Sequence, residues 1–242
     1  MIAPVAPDWP APPRVRALVS TRAGGVSAGH YASLNLATHV GDEPAAVATN
    51  RDRLRAACAL PAAPRWMNQV HGTQVIEAAM SDPEIPTADA AFTARRGVVC
   101  AVLTADCLPI LLCDRAGTTV AAVHAGWRGL AAGIIPATLT RLPPAADLLA
   151  WIGPGIGPQH YQVGDELRAQ FLAQDPGHAA AFAQRAGAWY ADLAQLAVRQ
   201  LAEAGVSSVY PSGLCTYENP AEFFSFRRNP VCGRIASLIW IV

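Results

Sequence analysis

The chain has 242 residues, 52% of them hydrophobic, with 18 basic and 18 acidic side chains and no formal net charge. Balanced charge removes the electrostatic case for nucleic acid or an acidic membrane surface as a partner. The length fits one large domain or two small ones, and one is favoured because no linker-like stretch divides the sequence.

Met1 to Pro13 is an extended lead rich in Pro and Ala, without the basic and long apolar regions of a secretory signal. Arg14 to Ser20 reads as a strand, broken by Thr21 to Ser27. Ser33 to Leu36 and Val40 to Asp42 read as short ordered loops, with Asp42 the expected N-cap of a helix from Pro44 to about Leu60. After the break at Pro61 to Pro64, strands are expected over Trp66 to Val70 and Thr73 to Ala78, flanking His71-Gly72. Ser81 to Ala88 reads as loop, and Ala91 to Thr93 and Gly97 to Leu103 as strands. Pro109 to Cys113 and Thr118 to His124 are two further apolar strands, joined by the polar turn Asp114 to Thr118. Gly129 to Leu142 has helical spacing with an expected interruption at Pro136. Leu148 to Ile152 reads as a strand ending in a Gly153 to Gly157 turn. Asp165 to Gln174 and Tyr190 to Ala204 read as helices, the second closed by Gly205. Val206 to Tyr210 and Ile235 to Ile241 are the last strands. Strand runs mixed with isolated helices, without regular βαβ alternation, indicate an α+β fold.

Six cysteines, Cys58, Cys100, Cys107, Cys113, Cys215 and Cys232, lie in apolar runs with no framework spacing. In a chain of this size they read as reduced thiols in a cytosolic setting, and no run is long and apolar enough to span a bilayer. Cys58, Cys100 and Cys113 are small buried hydrophobes on this reading. Cys107 differs, because Asp106 precedes it and Pro109 follows. An antiparallel return of the two apolar strands brings Cys107 and His124 to one end of the pair. His71 is a third candidate, and Cys with two His suits zinc while leaving one tetrahedral position open. The separations match no short zinc-finger pattern, so spacing alone leaves a metal site and a purely structural role both open. Gly153 to Gly157 is a weak phosphate-loop candidate, since Pro154 lacks an amide donor and no Lys-Ser/Thr follows.

The blocks Ser20-Thr21-Arg22 with Gly24 to Ser27, Ser33 to Leu36, Asn68 to Gly72, Thr104 to Pro109, His124 to Gly129, Ile152 to Pro154 and Phe224 to Arg228 together carry a resemblance. They are similar to the bacterial laccase-domain or polyphenol oxidase family, whose members are also described as purine nucleoside phosphorylases and peptidoglycan editing factors. The resemblance runs from about Arg14 to Val242. It implies one catalytic domain over 14–242 behind the 1–13 lead, folded as a single-domain α/β/β/α-type sandwich with mixed sheets. It also implies a zinc site from His71, Cys107 and His124. Phe226 stands where Tyr is more frequent among the editing factors.

Copper is an alternative or adventitious occupant of such a site, but a multicopper oxidase asks for about ten His with His-X-His pairs. This chain has six His and no such pair. The resemblance therefore implies a zinc-dependent phosphorylase acting on inosine, guanosine, adenosine or methylthioadenosine with phosphate, with adenosine deaminase activity. In that reading Arg22, Arg128 or Arg227 orients phosphate, Asn35, Gln69 and Ser225 contact the nucleoside, and Asp106 orients the site. The alternatives are a hydrolase removing L-serine from a UDP-muramoyl precursor, a metal-free hydrolase with Cys107 as thiolate and His124 as base, and a non-catalytic zinc-stabilised module. The expected partners are a purine nucleoside and phosphate, with no nucleic acid or membrane, and the expected state is a monomer or weak homo-oligomer.

Overall fold

Residues 1–79 and 85–242 are described by the computed structural model. The expected loop from Ser81 to Ala88 lies outside the described residues at 81–84. In chain order the regular elements begin with β1 (Val15–Val19), α1 (Pro44–Ala57), β2 (Val75–Glu77), β3 (Ala90–Thr93) and β4 (Cys100–Thr104). They continue with β5 (Leu108–Asp114), β6 (Val120–Ala125), α2 (Trp127–Ala132), α3 (Ile134–Leu139) and β7 (Leu148–Ile152). Next come β8 (Gln162–Val163), α4 (Asp165–Gln174), β9 (Phe182–Arg185) and β10 (Ala188–Ala191), then α5 (Leu193–Glu203), β11 (Ser208–Pro211) and β12 (Ile235–Ile241).

The strands form a six-stranded sheet in the order β11-β7-β5-β6-β3-β2 and a three-stranded sheet in the order β1-β12-β4. The larger sheet is mixed: its outer pairs β11/β7 and β2/β3 are parallel and its inner pairs antiparallel. A small antiparallel sheet, β8-β10-β9, packs beside the helices.

Side-chain alternation sorts the chain into layers. On β5, Leu108, Ile110 and Leu112 face one core, shared with Leu130 of α2, Ile134 of α3, Phe171 of α4 and Leu196 of α5. Leu111 and Cys113 point the other way, into a core shared with Val102 of β4 and Ile239 of β12. The far face of the small inner sheet, through Ala101, Leu103, Leu238 and Trp240, packs on Leu54 of α1 and on Leu34 and Leu36. Helices, sheet, sheet and helix thus make the α/β/β/α sandwich, and strands buried on both faces read as continuous apolar runs.

Several local expectations are corrected. Asp42 does not cap α1; the cap position is Glu43, without a side-chain bond. The Asp42 carboxylate is occupied by the Glu43 amide (2.9 Å), the Ser27 hydroxyl (2.6 Å) and the Asn35 amide (2.9 Å), so it ties loops together. Trp66 to Val70 forms no strand; its one ladder-type pairing among the described residues is the isolated bridge of Asn68 with Thr87, next to that of Arg65 with Cys100. The break between α2 and α3 falls at Gly133, at φ +91°, and not at Pro136, which sits in the first turn of α3 where its missing N–H costs nothing. Tyr190 belongs to strand β10, so α5 starts at Leu193 behind the Asp192 side chain, which accepts from the Gln195 amide at 2.9 Å. Residues of the N-terminal lead also take part: Val5 bridges Val19, and Trp9 and Ala11 pack on the inter-sheet core.

Candidate metal centre

The site grows from the β5–β6 hairpin. Its register pairs Leu108 with Ala125 and Pro109 with His124, so Cys107, one residue before β5, comes to the same end as His124. His71 arrives from the loop between α1 and β2, with φ +60°, a conformation that turns the chain back sharply. Its Nε2 lies 3.6 Å from Cys107 Sγ, and its ring centroid 4.7 Å from that of His124. One donor atom from each of the three residues lies within 4.8 Å of the others.

Asp89 aims both imidazoles. It is fully buried, and its Oδ1 accepts from the His71 amide (2.9 Å) and His124 Nδ1 (2.8 Å), while Oδ2 accepts from the Gly72 (2.7 Å) and Val70 (3.2 Å) amides. With Nδ1 engaged, His124 presents Nε2 to the site, the arrangement that orients imidazole donors in metal centres. Burial alone raises the Asp89 carboxyl, but the hydrogen bonds from His124 and the backbone amides and the His124 charge hold it below its ordinary value. The sequence reading missed Asp89. The only sequence signal is a carboxylate flanked by Ala88 and Ala90 at the entry to a buried strand.

Without a bound ion, Cys107 and His124 polarise one another. Burial pushes the Cys107 thiol up, but the His124 charge and hydrogen bonds from both imidazoles bring it down to about 6. For His124, burial favours the neutral ring, yet the Cys107 thiolate and Asp89 raise it to about 9.

Around the three donors opens a cleft of about 400 Å³, walled on its apolar side by Trp127, Ile156, Tyr161, Leu193 and Phe226. Asp106 fixes its rim. At φ +88° it holds a backbone conformation that side chains other than glycine's rarely adopt. Its Oδ1 accepts from the Thr216 hydroxyl (2.6 Å), Oδ2 from the Arg227 amide (2.6 Å), and its carbonyl from the Ile156 amide (2.9 Å). The turn bearing Cys107 is thereby tied to three other segments.

The remaining candidate residues divide in two groups. Gln69, Arg128 and Arg227 line the cleft, whereas Arg22, Asn35 and Ser225 do not. Gln69 spends both ends of its amide on the Leu103 backbone, at 2.8 and 2.7 Å. Arg227 donates to the Gln162 carbonyl (3.0 Å) and lies over Tyr161. Arg128 stacks on Trp127 and has no hydrogen-bond or ion-pair partner among the described residues. Arg22 is bound to the Ala32 and Pro220 carbonyls and lies over Phe224. Asn35 is fully buried among Ala37, Asp42 and the Arg234 amide, and Ser225 accepts from the Arg228 amide. Tyr161 and Arg234, which sequence reading did not single out, also line the cleft, as does His39.

The donor set suits one tetrahedral ion. Zinc bonded to sulfur at about 2.3 Å and nitrogen at about 2.0 Å sets those donors roughly 3.5 Å apart, and Cys107 Sγ and His71 Nε2 stand at 3.6 Å. Gly126 leaves the space: a Cβ there would lie 2.8 Å from Cys107 Sγ and from His71 Cδ2. A copper cluster has no such fit. Among the described residues the one other group of three donors is Asp175, His178 and Glu203, and Arg199 already pairs with both of its carboxylates.

A family model described as multi-copper polyphenol oxidoreductase laccase matches residues 16–242. A Pseudomonas aeruginosa protein named purine nucleoside phosphorylase is 50% identical over 239 residues, covering 97% of each chain. The Escherichia coli protein named purine nucleoside phosphorylase YfiH is 47% identical, covering 98% of each. The crystal structure of Neisseria meningitidis protein NMB0706 has a TM-score of 0.94 at 45% identity and 98% coverage of both chains. YlmD from Geobacillus stearothermophilus has a TM-score of 0.86 at 33% identity, covering 95% of this chain and 92% of its own. With the match spanning nearly its whole length, the chain belongs to the multi-copper polyphenol oxidoreductase laccase family, although the donors gathered at this centre among the described residues are three, enough for one ion.

Proposed function

We propose that the chain is a zinc-dependent purine nucleoside phosphorylase, converting inosine, guanosine, adenosine or methylthioadenosine and phosphate to free base and sugar 1-phosphate, with adenosine deamination as a second activity. The names of its relatives support the reaction class. The observation that carries the reading is a pair: three convergent donors open to the cleft, and in the same lining one guanidinium, Arg128, with no acceptor among the described residues.

Zinc, when bound by His71, Cys107 and His124, supplies a Lewis acid and an acidified water. Arg128 holds phosphate by paired N–H donors, and its stack on Trp127 at 4.5 Å fixes the plane of the fork. The purine lies against the Trp127, Tyr161 and Phe226 wall. In phosphorolysis a phosphate oxygen bonds to C1′ as the C1′–N9 bond breaks, and the base leaves with the electron pair and takes up a proton. Deamination uses the same nucleoside with water, which adds at C6 as ammonia departs. Gln69 positions the His71 loop through Leu103, and Arg227 shapes the cleft beside Tyr161. To Arg22, Asn35 and Ser225, whose polar atoms are committed elsewhere, we assign structural roles.

Purified protein loaded with zinc, or stripped by chelation, is to be incubated with adenosine and inosine with and without phosphate. The expected result is phosphate-dependent release of base only from zinc-loaded protein, and phosphate-independent conversion of adenosine to inosine. Absence of free base and sugar 1-phosphate at every zinc loading sinks the phosphorylase reading. Activity that survives complete stripping but vanishes in Cys107→Ala identifies a metal-free thiol hydrolase instead.

A further inference from the structure

The cleft carries more positive charge than phosphorolysis of a neutral nucleoside uses. Three guanidinium groups, those of Arg128, Arg227 and Arg234, line it against one carboxylate, Asp106. Both oxygens of that carboxylate are already taken. Arg128 is assigned to phosphate, and Arg227 is bound to backbone carbonyls. Arg234 is held in a similar way, and it is the one of the three whose charge bears on His39. Its Nη1 donates to the carbonyls of Cys232 (2.8 Å) and Gly233 (3.0 Å), and its guanidinium lies 5.8 Å from the Phe226 ring centroid. Nε and Nη2 have no protein acceptor among the described residues. The fork is thus anchored along one edge and free along the other, so little side-chain entropy remains to be lost when an anion binds.

His39 lines the same cleft, and its ring has no hydrogen-bond partner among the described residues. Burial, then the charges of Arg234 and Arg51, keep its ring below the ordinary histidine value, so at neutral pH it offers one N–H in the cleft that Arg234 also lines. Arg51 itself is committed to the Leu36 carbonyl and stacked on Trp66. Arg234 and His39 therefore present to one cleft donors that have no acceptor among the described residues.

We propose that Arg234 and His39 form a second anion subsite, which takes the phosphate ester of a nucleoside 5′-phosphate while Arg128 holds inorganic phosphate. The assignment rests on the nucleoside reading given above. A cleft of about 400 Å³ lies within the range of small-molecule sites and holds sugar, base and ester together. A bidentate contact from guanidinium to phosphate is charge-assisted and geometrically specific, which is what the free edge of Arg234 provides.

The test is calorimetric titration of the zinc-loaded protein with adenosine, with adenosine 5′-monophosphate, and with each again in saturating inorganic phosphate. Adenosine 5′-monophosphate is expected to bind about tenfold more tightly than adenosine, with inorganic phosphate leaving that ratio standing. In Arg234→Gln the ratio is expected to collapse towards one. Since Arg234 also holds two carbonyls, His39→Ala provides a variant in which no hydrogen bond among the described residues is lost, and there the ratio falls about threefold. Equal affinity for the two ligands in the parent, an advantage erased by inorganic phosphate, or a ratio unchanged in both variants overturns the subsite. Turnover does not enter the measurement. Protein that phosphorolyses adenosine without favouring the nucleotide sinks the subsite alone, and protein that binds as expected without phosphorolysis of any nucleoside sinks the phosphorylase reading alone.

Discussion

Each imidazole of the candidate centre is aimed by an Asp89 oxygen, directly at His124 Nδ1 and through the backbone amide at His71. An Asn at that position keeps one acceptor oxygen but turns an NH₂ towards amides that themselves donate. Asp89→Asn is therefore expected to weaken zinc binding by about 10–100-fold, measured by competition with a chromophoric chelator, while circular dichroism stays that of the parent. Protonation at the same site sets a second expectation. Zinc takes up a thiolate and a neutral imidazole. With the thiol at about 6 and His124 at about 9, the free protein between those values already holds the thiolate but carries an imidazolium. Binding must expel the His124 proton in that window, and the thiol proton as well below it. Affinity thus falls as pH falls, with this pair contributing about one proton per ion between pH 6 and 9 and about two below pH 6. Calorimetry in buffers of different ionisation enthalpy reads the number directly, and a pH-independent affinity between 6 and 9 contradicts it.

Among the elements, the turn from β6 into α2 is the tightest constraint on the centre. Gly126 packs where any side chain would meet Cys107 Sγ and the His71 ring at 2.8 Å. Both neighbours are donors, and neither can yield without leaving the donor set. Gly126→Ala is expected to fold and to bind less than one tenth of an equivalent of zinc at micromolar metal, by elemental analysis after gel filtration. Full zinc occupancy in that variant contradicts the packing account. The sequence carried the neighbouring elements to different degrees. The β5–β6 hairpin was legible because a polar turn between two apolar runs is a local signal. The break at Gly133 was not, since Pro136 is the stronger breaker on paper and only the register of α3 shows it in the harmless first turn. Tyr190 fits a helical stripe and a strand equally well, and its pairing with Ala183 and Gln162 decided for the strand.

At the scale of the whole molecule, the described chain places its centre at the end of the β5–β6 hairpin, lined by Ile156, Tyr161 and Leu193 of the helix-side core and by Ala105 of the inter-sheet core. No helix among the described residues is long and apolar enough to cross a membrane. Composition and the order of strands and helices determined an α+β fold, and the motif blocks determined the family, because both are written in local residue patterns that do not depend on which distant segment packs where. The pairing of Cys107 with His124 was likewise written in one hairpin. The sequence did not determine which polar residues are free to act. Asn35, Arg22 and Gln69 look as available as Arg128 until the fold shows their donors and acceptors committed to backbone groups. Nor did it mark Asp89 or Arg234, or place His39 in the cleft. The Asp89 carboxylate meets residues 17 to 35 positions away in the chain. Arg234 and His39 reach their common cleft from opposite ends of the sequence. Hydrogen-bond satisfaction and charge balance inside a cleft are sums over neighbours in space, and only the tertiary structure fixes who those neighbours are.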